Sequence, residues 1–171
     1  MSSVKSADAD SPLSGRCAWP RGLLLLAVCL GLLVPGSIPV HAAGSRTIVV
    51  LNDRGGSVIE RARLIQQYKA AGTRLEIRGN FCLSACTMYL GLRNACVAPN
   101  TVFGFHGPSS RIYGIGLRPD VFERWSRIMA DHYPEPLKSW FLDVGRHRTV
   151  GFHLYDGSQL IGMGIKRCSP A

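Results

Sequence analysis

The chain has 171 residues, 46% of them hydrophobic, with 20 Lys+Arg against 11 Asp+Glu and a formal net charge of +9. That is a one-domain length once a processed segment is removed. The basic residues are scattered, with no block of like charge and no interleaved aromatics, so nucleic acid is not an expected partner. A weak attraction to anionic envelope surfaces is the second account of the charge.

Residues 1–42 have the anatomy of a signal peptide. Arg16 and Arg21 supply the positive region, and Gly22 to Val34 is an apolar run without a charge. Pro35, Gly36 and Pro39 follow, and Val40-His41-Ala42 offers small side chains for cleavage before Ala43. The run falls short of the about 20 apolar residues of a full membrane span. Cleavage is therefore expected over retention as an anchor, and membrane contact would be limited to this segment if it stayed. Residues 43–171 are then a single exported domain, periplasmic or secreted from a bacterial envelope.

Thr47 to Leu51 is a continuous β-branched run, expected to be a strand buried on both faces. Asn52-Asp-Arg-Gly-Gly56 breaks it, and Ser57 can cap a helix in which Val58, Ala62 and Ile65 recur at helical spacing until Gly72. Leu75 to Arg78 predicts a second strand, with Gly79-Asn80 as a second break. Ser84 to Leu92 is helical in pattern, and Cys96 to Ala98 and Val102 to Phe105 are short strands around a Pro99-Asn100 turn. The second half is more helical: Pro119 opens a helix with Val121, Trp125 and Ile128-Met129 on one face, and Leu137 to Leu142 begins another. A Phe152–Leu154 strand and a short helix from Ser158 complete the series. Strands alternating with helices imply an α/β fold with a largely parallel β-sheet.

Three clusters fall at the carboxyl ends of strands, where a parallel sheet carries its site. They are Gly55-Gly56, Ser84 and His106. A serine on a tight strand-to-helix turn is held with its hydroxyl exposed. It stays a poor nucleophile until a base takes its proton, and His106 is the natural base. Backbone N–H groups of Ala85 and of Gly55 or Gly56 could form an oxyanion hole. Each piece alone has a plainer role, as N-cap, turn or structural histidine.

The three motifs together resemble the Clp protease proteolytic subunit and its crotonase-like relatives. Asn52-Asp-Arg-Gly-Gly-Ser57 resembles that superfamily's glycine turn. Phe81-Cys-Leu-Ser-Ala-Cys-Thr87 is similar to its nucleophile motif, and Pro99-Asn-Thr-Val-Phe-Gly-Phe-His-Gly-Pro108 to its histidine segment. A closer likeness is to small exported bacterial members with Cys-x-Ser-Ala-Cys-Thr and Gly-Phe-His motifs. The resemblance implies the superfamily's sheet, built from repeated ββα/βαβ turns, and a serine hydrolase acting on peptides or proteins without cofactor or metal. It also implies a tendency to ring-shaped homo-oligomers, although no helical interface element is recognisable. One departure stands out: the aspartate that orients the histidine has no counterpart near Gly151-Phe152-His153. Asp143 and Asp156 are near in sequence but out of register. That gap keeps open a second class, a weak or inactive binding or assembly module on the same fold.

Four cysteines, Cys82, Cys86, Cys96 and Cys168, follow the leader. An even count in an exported chain points to disulfides. The spacing of the first three could also pass for a metal site, but no histidine sits beside them at ligand spacing. Of the three connectivities that four cysteines allow, the expected one joins Cys86 to Cys96 across a short return and Cys82 to Cys168.

Overall fold

A computed structural model describes residues 46–110, 112 and 115–170. The leader, its cleavage site, Cys17 and Cys29 lie outside the described residues. Among those described, no helix is long and apolar enough to cross a membrane.

β1 (Thr47–Asp53) lies at one end of a five-stranded sheet and pairs only with β2 (Arg74–Leu83), in parallel. This corrects the expectation of a strand covered on both faces: Val49 and Leu51 are 49% and 61% exposed. The β-branched run reports strand propensity here and not two-sided burial. Between the two strands runs α1 (Val58–Ala70). The Ser57 hydroxyl accepts the Glu60 N–H at its start, and Val58 and Ile65 face the core.

β2 does not stop at Gly79-Asn80 as its sequence suggests. It continues to Leu83, and the register against β1 shifts between Val50 and Asn52. An added Cβ at Gly79 would land on the Leu51 carbonyl. Glycine therefore marks a bulge where two backbones approach, not a break.

Extension of β2 creates a shared edge. Its first half, Leu75 to Ile77, pairs with β3 (Ala95–Val97), and its last residues, Phe81 to Leu83, pair with β4 (Val102–Phe105), both in parallel. β5 (His153–Asp156) joins the far side of β4 antiparallel. The sheet is thus mostly parallel within a mixed α/β fold, as the alternation of elements predicts. Ser84–Gly91 is helical but of the 3-10 type. α2 (Pro119–Ala130), α3 (Leu137–Asp143), a short 3-10 turn at Gly145–His147 and α4 (Gly157–Gly162) complete the described elements. Leu75, Ile77, Met88, Phe103, Phe105, Leu137, Phe141 and Leu160 form the centre of the core. Phe105 meets Tyr133, Trp140 and Tyr155 edge to face, with centroids 5.6–5.8 Å apart.

All four described cysteines are paired, but not as expected: the bonds are Cys82–Cys86 and Cys96–Cys168. The first pair flanks the abrupt turn from β2 into the 3-10 helix, which brings their Cα atoms to 5.4 Å. Cys168 comes to Cys96 because the last segment runs along β3: Val97 bridges Arg167, and the Cys168 N–H donates to the Val97 carbonyl at 2.9 Å. Spent as disulfides, these sulfurs are not metal ligands. Such bonds are those of a chain that folds in an oxidising compartment outside the cytoplasm.

Candidate active site

β2 and β4 run side by side with Leu83 opposite Gly104, so the residues leaving their carboxyl ends emerge together. Ser84 leaves one and His106 the other. Ser84 Oγ and His106 Nε2 lie 2.7 Å apart. Among the described residues Ser84 is the only non-glycine with a left-handed backbone, at φ +55°. That conformation costs on the order of 1–3 kcal/mol and persists only where the surroundings impose it.

The surroundings are identifiable. Leu83 before it is extended, and the 3-10 helix starts at Ser84 itself, so the reversal falls on the serine. The Thr87 hydroxyl donates to the Ser84 carbonyl at 2.7 Å. Having spent its single hydrogen there, it accepts from the Tyr133 hydroxyl, also at 2.7 Å. Burial pushes the Tyr133 phenol well above its ordinary range, so it remains a donor. On the other side, Gly55 packs so closely that a Cβ there would fall 2.6 Å from the Ser84 Cβ and 3.0 Å from the Ala85 nitrogen.

The glycine turn is itself clamped. Arg61, on α1, pairs with Asp53 at 2.8 Å, donates to the Gly55 carbonyl at 3.0 Å and also bonds the Tyr89 hydroxyl. The Gly55 N–H donates to Asp53 Oδ1 at 2.7 Å. This corrects the assignment of Gly55 as an oxyanion donor: its N–H is already taken by a carboxylate. Gly56 remains, bordering the cleft with φ +122°. Ala85 lies in the first turn of the 3-10 helix, where N–H groups lack intrahelical partners.

His106 is half-buried. Burial pushes its imidazole below the ordinary value of 6.5, and a hydrogen bond with the Gly107 backbone opposes that shift. Beside it, where an orienting carboxylate would be sought, stands Phe152, edge to face with ring centroids 5.0 Å apart. Neither candidate aspartate fills the role. Asp156 pairs with Val102, at the far end of β4 from Phe105, and its carboxylate caps α4 through the Gln159 N–H at 2.8 Å. Asp143 is exposed at the end of α3. Among the described residues no carboxylate bonds His106.

Ser84 and His106 open onto a cleft of about 790 Å³, with apolar walls from Val58, Leu117, Trp125 and Met129. The sequence assigned Trp125 and Met129 to a packing face; Met129 is buried, whereas Trp125 is only partly covered and turned to the cleft. The Asp53–Arg61 clamp and the Thr87–Tyr133 relay also escaped sequence reasoning. Thr87, three residues past the serine, sits at a spacing that could have suggested a bond back to its carbonyl; nothing in the sequence marks Tyr133. In comparisons with known proteins, no family model matches this chain and no curated protein matches it.

Proposed function

We propose that the chain is an exported serine hydrolase, a peptidase, on a Clp-protease/crotonase-type fold. Ser84 is its nucleophile, His106 its general base, and the Gly56 and Ala85 N–H groups its oxyanion donors. The observation that carries this reading is the 2.7 Å approach of Ser84 Oγ to His106 Nε2 with Ser84 in a strained turn at the mouth of a cleft. In the reaction, His106 Nε2 takes the Ser84 proton as Oγ attacks the substrate carbonyl carbon. The resulting oxyanion is met by backbone donors already in place. His106 then gives the proton to the departing amine, and water releases the acyl group by the same steps in reverse order. Export through the 1–42 leader, a peptide or protein substrate and assembly into a homo-oligomer belong to the same proposal. The order of glycine turn, serine junction and histidine strand supports the finer fold assignment.

The second reading, a binding or assembly module, is favoured by one observation: an aromatic ring rather than a carboxylate beside His106. A fluorophosphonate probe separates the two. The wild-type protein should be labelled, and Ser84→Ala and His106→Ala should each abolish labelling with thermal stability nearly unchanged. Losing such a unit costs on the order of 10⁶ in rate, without additivity, so the double variant should match either single one. A wild-type protein that resists the probe leaves the binding module.

A further inference from the structure

The Cys82–Cys86 bond straddles Ser84, and its geometry bears on the serine directly. Residues four apart on an extended strand lie about 13 Å apart at roughly 3.3 Å per residue. Here the two Cα atoms are held at 5.4 Å. Leu83, inside the bracket, is extended at φ −113°, ψ 152°, so it contributes nothing to the reversal. The reversal falls on Ser84, the residue found at φ +55°, and on Ala85 in the first turn of the 3-10 helix. Without the bond, the chain can relieve that strain by returning Ser84 to the common negative-φ regions, which turns Oγ away from His106.

We infer that the Cys82–Cys86 disulfide is a positioning element for Ser84, so that the Ser84–His106 pair is assembled only in oxidised chains. The inference rests on the hydrolase reading for its effect on activity, and on geometry alone for its effect on the pair. Both sulfurs belong to fully buried residues, at 0% exposure, so the bond closes as the segment folds and is not a switch thrown in the finished protein. Closure is a two-electron step. One cysteine thiolate attacks a disulfide-bearing oxidant to give a mixed disulfide. The second attacks that mixed disulfide and expels the oxidant's remaining sulfur, and the two protons lost by the cysteines end on the reduced oxidant, which leaves as its dithiol. A chain kept among reducing thiols therefore carries no competent nucleophile.

The test compares two paired variants of the full chain, Cys82→Ala/Cys86→Ala and Cys96→Ala/Cys168→Ala. The first should fold and lose at least a hundredfold in the rate of fluorophosphonate labelling. The second opens the longer loop, loses more thermal stability, and should label at the wild-type rate in its folded fraction. Equal labelling by the first variant and wild type overturns the inference. Should the first variant fail to fold, wild-type protein refolded with limiting oxidised glutathione and isolated as a folded monomer or oligomer decides the matter. It is treated with probe, unfolded in guanidinium chloride, alkylated there with iodoacetamide so that buried open thiols are reached, and digested with trypsin. Cleavage after Arg78 and Arg93 releases one peptide holding Cys82, Ser84 and Cys86. Probe should be confined to peptides whose cysteines escaped alkylation. Probe on alkylated peptides, or no folded molecule with open cysteines, removes the specific role. If wild type resists the probe altogether, NMR titration of the His106 ring still reads the geometry. A midpoint that differs between wild type and the first variant supports positioning while the hydrolase reading falls, and identical titrations overturn both.

Discussion

At the scale of single residues, the site pairs a strained serine with a histidine whose environment favours its neutral form. Burial disfavours the imidazolium, so His106 keeps its lone pair for Ser84 to lower pH than an exposed imidazole would. In the proposed reaction the competent form is the unprotonated one, present above the folded-state value, and that value lies below 6.5. The acid limb of a probe-labelling profile should therefore have its midpoint below pH 6.5, and a midpoint at or above it would contradict the burial argument. The same burial opposes the imidazolium that forms during attack, and no carboxylate compensates for it. Replacing Phe152 by Ala should leave the Ser84–His106 contact in place but admit water to the ring and move that midpoint upward. These residue roles were partly legible in the sequence. Ser84, His106 and the glycine pair are local motifs, readable because chain neighbours define them. Asp53 on the Gly55 N–H, Phe152 on His106 and Tyr133 on Thr87 are contacts across the fold, and no local pattern announces them.

Among the elements, β2 determines where everything else lies. By running ten residues, it pairs with β1 along its length, with β3 at its start and with β4 at its end. Had it ended at Arg78, Ser84 would not leave the sheet beside His106. The cost of that length is the close approach at Gly79, where the Leu51 carbonyl occupies the space of a Cβ. Gly79→Ala should destabilise the protein by about 3 kcal/mol, as overpacking against rigid backbone does, seen as a lowered urea midpoint. It should also depress probe labelling in the folded fraction, because the shift propagates along β2 to Ser84. A substitution that leaves both unchanged would show that the register can slide. The sequence suggested a break there because glycine beside asparagine is a turn signal in isolation. Strand pairing before it, at Arg74 to Ile77, and after it, at Phe81 to Leu83, overrode that signal. The alternation of strands and helices, and hence the mostly parallel sheet, was legible because hydrophobic period survives such local irregularity. The exposure of β1 was not, since strand order cannot be read from one strand's composition.

For the whole domain, the Cys96–Cys168 bond ties β3 to the last described segment over a sequence separation of 72. In the chain-entropy account, closing a loop of that size removes about 4 kcal/mol of freedom from the unfolded chain. His106, α2, α3 and β5 all lie within that loop, as does the stretch between Gly107 and Pro119, where Ile112 and Ile115 are 63% and 57% exposed. Exposed apolar residues such as these two offer a foreign protease a place to cut. A single cut there would leave two polypeptides held by one covalent bridge as well as by the sheet. Ser84 would belong to one fragment and β5 to the other. Limited digestion should accordingly give one band on a gel run without reductant and two with it, while two bands under both conditions would place the cut outside the loop. Damage to this surface would thus be survivable: a severed molecule keeps its two halves at each other's disposal and can persist as a nicked heterodimer.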